Sequence, residues 1–211
     1  MLVPVLNTAA SYPLMVLALR RGDLGLAIAR MLLWALTMGV CATLLSYAKP
    51  SATDTLFLRG APYRAEMFEW VATGRGAEST PSQFIPQQLG QAAVFSGVAL
   101  ATAGILAMPM GAVLMNYMGH YVGTLAAQSR SPVLAMVLGW HPWSVIRIIS
   151  FVILGVVLSA PLLSRLTEIP IDRRLSRRLI VAASIGLVAD IVLKTLLAPA
   201  WHRLLLRVAG W

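Results

Sequence analysis

Long apolar runs separated by short polar breaks dominate the chain. The stretches that contain no Asp, Glu, Lys or Arg include 79–129, 148–164 and 179–189. A helix needs about 20 mostly apolar residues to cross the roughly 30 Å hydrocarbon layer of a bilayer. We therefore expect transmembrane helices over 24–47, 87–128, 143–164 and 179–199.

Three apolar stretches are open to different interpretations. Residues 1–19 contain two prolines and an asparagine, and they either form a broken span or lie in the membrane interface. The run 87–128 is too long for one upright crossing at about 1.5 Å per residue. We favour one helix kinked at Pro109 over a straight, projecting helix or two short crossings that meet at 108–111. The block 132–164 is interrupted at 139–143, which favours a short re-entrant or interfacial piece before the span. The expected fold is an all-α, polytopic integral membrane bundle of four to five transmembrane helices, forming one domain over 1–211.

The segment 48–86 is the main hydrophilic part of the chain. Within it, 63–71 has the spacing of an amphipathic helix, and Gly74 is a natural stop. Its apolar face contains Trp and Tyr, so we expect this helix to lie on the membrane surface. The sequence 80–83 has the pattern of a helix start. The tail 202–207 is expected to form another short interfacial turn.

Composition and charge support a membrane protein. Hydrophobic residues make up 58% of the chain and charged residues 12%, which leaves too few charges for a water-facing surface. The net charge is +9, but the basic residues are spread over short breaks, which favours anionic lipid headgroups over nucleic acid. The positive-inside rule favours the cytoplasm for 48–86 and 165–178, in a bacterial-type inner (plasma) membrane.

One helix in the run 87–128 has a polar face and a small-residue face. The polar face repeats every fourth residue: Asn116, His120, Thr124 and Gln128. It either lines an ion or substrate pathway at Asn116 and His120, or forms hydrogen bonds within a helix contact. The neighbouring face allows close helix packing through Gly119, Gly123 and Ala127.

Three charged residues fall inside predicted spans. Asp190 and Lys194 lie one helical turn apart, acid before base, which favours a local ion pair. A charge near the middle of the bilayer costs at least about 2.5–3.5 kcal/mol, so such residues face protein or water. The pair therefore marks either a polar transport site or a structural contact. Arg147 is a further candidate for the ion or substrate pathway, although its side chain is expected to extend toward the nearby interface instead of reaching Asp190.

The sequence offers little support for metal, cofactor or enzyme chemistry. His120, His141 and His202 fit no compact zinc pattern, and no P-loop or GxSxG motif is present. Cys41 is the only cysteine. We expect no metal and no cofactor, and a non-enzymatic role more than a catalytic one.

Three functions follow from these observations. The first is a non-catalytic membrane subunit that packs its helices against other subunits or against copies of itself. The second is a small transporter or channel component with a polar intramembrane site at Asp190/Lys194 and Asn116/His120. The third is an intramembrane enzyme or cofactor carrier. In each case the lipid bilayer is the immediate partner, and no nucleic acid is expected.

Overall fold

A computed structural model describes residues 2–167 and 169–211, apart from the side chain of Leu2. Every regular element in these residues is a helix. In chain order they are α1 (Leu2–Ala9), α2 (Ser11–Arg20), α3 (Leu24–Ala48), α4 (Pro50–Leu56), α5 (Gly60–Thr73), a 3-10 helix (Ala77–Ser79), α6 (Pro81–Ala101), α7 (Ala107–Ala127), α8 (Pro132–Gly139), α9 (Pro142–Thr167) and α10 (Arg173–Ala209). Three of them, α3, α9 and α10, are long and apolar enough to cross a membrane. The expected all-helical membrane fold is confirmed at this level, whereas the count of four to five spans is not.

Local chemistry explains where several helices begin and end. The carboxylate of Asp23 accepts a hydrogen bond from the Leu26 N–H at 2.7 Å, which caps the start of α3. Asp172 caps α10 in the same way through the Leu175 N–H at 2.9 Å. Gly74 ends α5 with a left-handed φ of 70°, a conformation that costs glycine little. The predicted helix over 63–71 and its stop at Gly74 are therefore present, although the helix begins earlier, at Gly60.

The run 87–128 is not one kinked helix. It contains most of α6 and all of α7, separated by residues 102–106, where Ala103 and Gly104 have φ values of 51° and 83°. Pro109 lies in the first turn of α7, where a missing N–H leaves no helical hydrogen bond unmade. The favoured interpretation is wrong because a left-handed turn, and not a proline, breaks the run. The last helix also continues past Pro199 to Ala209.

Six helical legs run between two ends of the molecule: α1–α2, α3, α6, α7, α8–α9 and α10. Legs α3 and α7 are parallel, because Gly119 packs on Ala42 and Gly123 packs on Ser46. Leg α10 runs antiparallel to α9, with Gly186 beside Ser150. We call the end with loops 21–23, 102–106 and 169–172 the short-loop end. The end with residues 49–80, 128–131 and the tail of α10 is the long-loop end.

The expected common cytoplasmic side for 48–86 and 165–178 is wrong. Pro170 lies beside Gly22 at the start of α3, whereas Gly74 lies beside His202 near the end of α10. The two segments are therefore at opposite ends of α3 and α10. Seven basic residues lie at each end: Arg20, Arg21, Arg165, Arg173, Arg174, Arg177 and Arg178 against Lys49, Arg59, Arg64, Arg75, Arg130, Arg203 and Arg207. This balance leaves the positive-inside rule without a preferred side.

Helix α5 packs on protein and does not lie alone on a membrane surface. Its apolar face, with Met67, Trp70 and Val71, is buried in a cluster with residues of α7, α9 and α10. The indole N–H of Trp70 donates a hydrogen bond to Ser79 Oγ at 2.6 Å. Residues 49–80 thus form a cap on the long-loop end. From this cap, the Glu78 side chain reaches Lys194 of α10.

Candidate functional site

Two ion pairs lie side by side between the cap, α9 and α10. The guanidinium of Arg147 donates to both carboxylate oxygens of Asp190, at 2.8 Å from Nε and 3.0 Å from Nη2. Lys194 Nζ lies 2.9 Å from Glu78 Oε1 and 4.4 Å from the centre of the Phe84 ring. Asp190 and Lys194 are only 1% and 2% exposed, so both charges depend on these partners.

The partners differ from the expected ones. Asp190 and Lys194 share a helix face, yet each pairs with a different helix or segment, so the expected local pair is wrong. Arg147 reaches Asp190 and does not extend alone toward the interface. Sequence reasoning missed Glu78, although it is the last charged residue before the long uncharged stretch. Partner choice depends on which helices are neighbours, and hydropathy carries no information about that.

A cavity of about 190 Å³ lies inside the bundle next to the ion pairs. Helices α3, α6, α7 and α9 form its walls, and Lys194 reaches it from α10. This is somewhat larger than the cavity of about 150 Å³ that holds a benzene molecule in an engineered protein core. The space is therefore large enough for a small ligand, and because the cavity is only partly enclosed, a longer apolar tail would extend beyond it.

The cavity changes in polarity along the bundle axis. Its polar lining lies toward the long-loop end and includes Tyr63, Gln87, Gln88, Tyr117 and Ser144 beside the charged residues. Its other half is apolar, with Met31, Phe95, Ala107, Met108, Phe151 and Val152. A cavity with one polar and one apolar half matches a molecule with a polar head and an apolar tail.

Cations outnumber carboxylates in the cavity wall. Among the described residues, Arg147, Lys194 and Glu78 are the charged groups that line it. Asp190 lies on the other side of Arg147 and faces a separate groove. With Asp190 held against Arg147 and Glu78 against Lys194, the four groups sum to zero charge, but the cavity lining contains two cationic donors and one carboxylate, which favours a hydrogen-bond-accepting head group.

The Gln88 side chain has no partner in this wall. It is 9% exposed, and neither its amide nitrogen nor its amide oxygen finds a hydrogen-bond partner among the described residues. Leaving such a buried group unsatisfied costs about 1–3 kcal/mol. A bound molecule that both donates and accepts hydrogen bonds would remove this cost.

Two titratable groups of the hydrophilic segment have shifted pKa values. Burial raises the pKa of Glu78, but Lys194 and Arg147 outweigh it, so the pKa lies below the ordinary value of 4.5. Burial, together with Glu78, raises the pKa of the Tyr63 hydroxyl, which stays protonated. At neutral pH these groups are therefore a carboxylate and a phenol.

A second polar network joins α3, α4, α5 and α7 through His120. His120 Nε2 lies 2.9 Å from Asp54 Oδ1, and its Nδ1 lies 3.1 Å from Ser46 Oγ. The carboxylate of Asp54 also accepts two hydrogen bonds from Arg64. The order Ser–His–Asp resembles a nucleophilic triad, but Ser46 and His120 are fully buried, so Ser46 Oγ is not accessible to a substrate. The network holds the cap onto the bundle.

The other predicted site residues lie apart from the cavity. Asn116 is buried beside a groove next to Phe57 and does not line the cavity. Gly119 and Gly123 face α3 of the same chain, whereas Ala127 is exposed at the end of α7. Asn116 and His120 therefore do not join Asp190 and Lys194 in one site.

An aromatic cluster surrounds His141 between α8 and α9. The imidazole stacks on Trp143 with ring centres 4.7 Å apart, and Trp70 meets it edge-on at 5.4 Å. Tyr121 and Trp201 complete the cluster. Of the side chains the structure describes, no three His, Cys, Asp or Glu gather as a metal site. The cluster packs the break between α8 and α9 against α5 and α10.

The fold and the buried charges together indicate an all-helical membrane protein. Comparison with protein-family models, with curated proteins and with solved structures finds no match. Function is therefore inferred from the chemistry of the site alone.

Proposed function

We propose that this chain is a small carrier component that binds an anionic amphiphile inside its helical bundle. The observation that carries the proposal is the polarity of the cavity, which is apolar at one half and lined by Arg147, Lys194 and Glu78 at the other. The ligand's acidic head would accept hydrogen bonds from these cations and from Tyr63 or Ser144. Its tail would lie among Met, Phe and Val side chains.

We also infer that all six legs cross the bilayer, in place of the four to five spans expected. Helices α6 and α7 have 21 residues each, so each is about 30 Å long, which matches the hydrocarbon thickness. The break at 140–141 divides the α8–α9 leg inside protein, where the aromatic cluster covers it. Six crossings put both ends of the described chain on one side.

The alternative of a non-catalytic subunit has less support. It depended mainly on the small-residue face of the long apolar run, and Gly119 and Gly123 are occupied by α3 of the same chain. Gentle detergent extraction followed by mass spectrometry separates the two proposals. Stoichiometric companion proteins would favour a subunit, whereas a lone chain with a co-purified amphiphile would favour a carrier.

Binding of decanoate tests the carrier proposal directly. Radiolabelled decanoate is titrated onto the protein in phosphatidylcholine nanodiscs, with decanol and decylamine as competitors. We expect saturable 1:1 binding and a preference for decanoate over decanol of at least about tenfold, since one charged hydrogen bond is worth that much or more. Equal competition by all three molecules would refute an anion-selective head site.

Two glycine variants locate the binding site. Gly111 lines the cavity, and a Cβ built on it meets only Phe95 at 3.8 Å, so leucine there fills empty space. Gly97 on α6 has no described atom near its Cβ position and provides a matched outward control. We expect Gly111→Leu to abolish decanoate binding and Gly97→Leu to retain it. Retained binding in Gly111→Leu would place the ligand elsewhere.

A further inference from the structure

A groove on the membrane-facing side of the bundle adjoins the central cavity. It has a volume of about 230 Å³ and lies between α6 and α10, with α9 as its floor. Leu89 and Val188 line it and are 57% and 61% exposed. Exposed apolar residues at mid-helix positions face lipid in a membrane protein. The groove therefore opens sideways into the hydrocarbon layer.

Four side chains form a common wall between the groove and the cavity. Gln88, Gln91, Arg147 and Phe151 line both spaces. Helix α6 packs mainly on α9, and among the described residues it has no extensive contact with α10. Side chains therefore separate the cavity from the groove. Such a wall can open by rotamer changes, which are faster than movements of the helix backbones.

We propose that the ligand enters the cavity sideways from the bilayer through this groove. Gln88 would form hydrogen bonds with the head group where the groove meets the cavity. The inference rests on the proposed function and adds the route and the source of the ligand. The ligand is then a molecule dissolved in the membrane, such as a medium-chain carboxylic acid. A solute that reaches the cavity only from water does not fit this route.

The chemistry of Gln88 supports this role. Its amide offers one donor and one acceptor, both buried and both without a partner among the described residues. A protonated carboxyl group also offers one of each, so the two groups satisfy one another. The protonated acid is also the form that dissolves in hydrocarbon because it carries no charge, and it would release its proton to water before the carboxylate binds beside Arg147 and Lys194. Arg147 and Gln91 also line both spaces, and Asp190 lines the groove in its pair with Arg147.

Filling the groove tests the route. Ala92 and Ser184 line opposite sides of it, on α6 and α10, so tryptophan at either position narrows it. Ala93 is the next residue on α6, is exposed and does not line the groove, which makes Ala93→Trp the matched control. Association and dissociation rates of radiolabelled decanoate are measured in phosphatidylcholine nanodiscs. Unfolding in mixed micelles verifies that each variant folds.

The expected result is a change in rates without a change in affinity. Ala92→Trp and Ser184→Trp should slow decanoate association and dissociation by at least about tenfold each. Their Kd should stay within about twofold of the wild type, because a narrower path raises the barrier to entry and to exit equally. Ala93→Trp should match the wild type. Wild-type rates in both groove variants would refute the lateral route. Failure of the wild type to bind decanoate would instead refute the proposed function.

Gln88→Met separates a threshold role from a structural one. Methionine has a similar length and removes the unpartnered amide, so the variant should be at least as stable as the wild type. We expect it nevertheless to slow decanoate association several-fold. Unchanged association in a stable Gln88→Met protein would show that Gln88 does not contact the entering head group, and it would overturn this part of the proposal.

Discussion

Replacing Gly123 by alanine tests how closely α7 packs against α3. A Cβ built on Gly123 would collide with the backbone carbonyl of Thr43 and lie 2.7 Å from Ser46 Cβ. Carbon atoms in contact are usually about 3.5–4.0 Å apart, so the two helices must separate by about 1 Å. The contact between α3 and α7 is the most extensive between any two helices in the described chain. Its loss therefore affects the whole bundle.

The size of the effect follows from comparison with Gly97→Ala. Both variants gain the helix propensity of alanine, about 0.5–1 kcal/mol. Only in Gly123→Ala does the added Cβ collide with backbone atoms of α3, and such overpacking costs about 1–3 kcal/mol. Subtracting the two changes in unfolding free energy removes the propensity contribution. We expect the difference to equal the steric cost, with Gly123→Ala the less stable variant.

Equilibrium unfolding in dodecyl maltoside micelles with increasing SDS, followed by circular dichroism, measures both variants. Gly97→Ala should unfold at the same or a higher SDS fraction than the wild type, since no described atom occupies the space near its Cβ. Gly123→Ala should unfold at a lower one. If both variants unfold at the same SDS fraction, the close contact between α3 and α7 is wrong.

Three further predictions use the same unfolding assay or a protease. Arg147→Met should destabilise the protein by about 3–5 kcal/mol because it leaves Asp190 buried and unpaired. The double variant Arg147→Met/Asp190→Leu should recover most of this loss. A double variant as unstable as Arg147→Met alone would contradict the pairing. The folded pKa of Glu78 is depressed, so its contribution is fully present above pH 4.5 and is lost as pH falls through the lower folded value. The SDS midpoints of wild type and Glu78→Gln should therefore differ at pH 7 and converge in acid, and a constant difference would refute this. Asp54→Asn should weaken the contacts that hold the cap on the bundle and destabilise the cap by about 1–3 kcal/mol. Tryptic cleavage in α4–α5 should therefore be several-fold faster than in the wild type. The exposed control Glu66→Gln should be cleaved at the wild-type rate.

Much of the fold was predictable because membrane helices follow local hydropathy. The sequence predicts α3, α5, α9 and the interruption after Gly139 close to their observed bounds. It fails between α6 and α7, where Ala103 and Gly104 break an uncharged run without a proline or a charge. Gly104 was the only local signal of that turn. A hydropathy profile does not distinguish such a turn from a continuous helix.

The site was less predictable because its contacts join residues far apart in sequence. Asp190 and Lys194 are recognisable as unusual charges in an apolar run, but their partners lie 43 residues away at Arg147 and much farther at Glu78. Gln88 carries no signal by itself, since an amide in a helix is ordinary. Only the three-dimensional arrangement reveals that it lies in a buried wall.

The order of the charged residues along the chain has a consequence for the assembly of the bundle. Glu78 and Arg147 are both made before α10, which carries the two residues that neutralise them. A chain that lacked α10 would therefore hold Glu78 and Arg147 without their partners, and a buried charge without a partner is costly. Packing of α10 onto the bundle supplies Asp190 and Lys194 together, so both ion pairs depend on the last helix to be made.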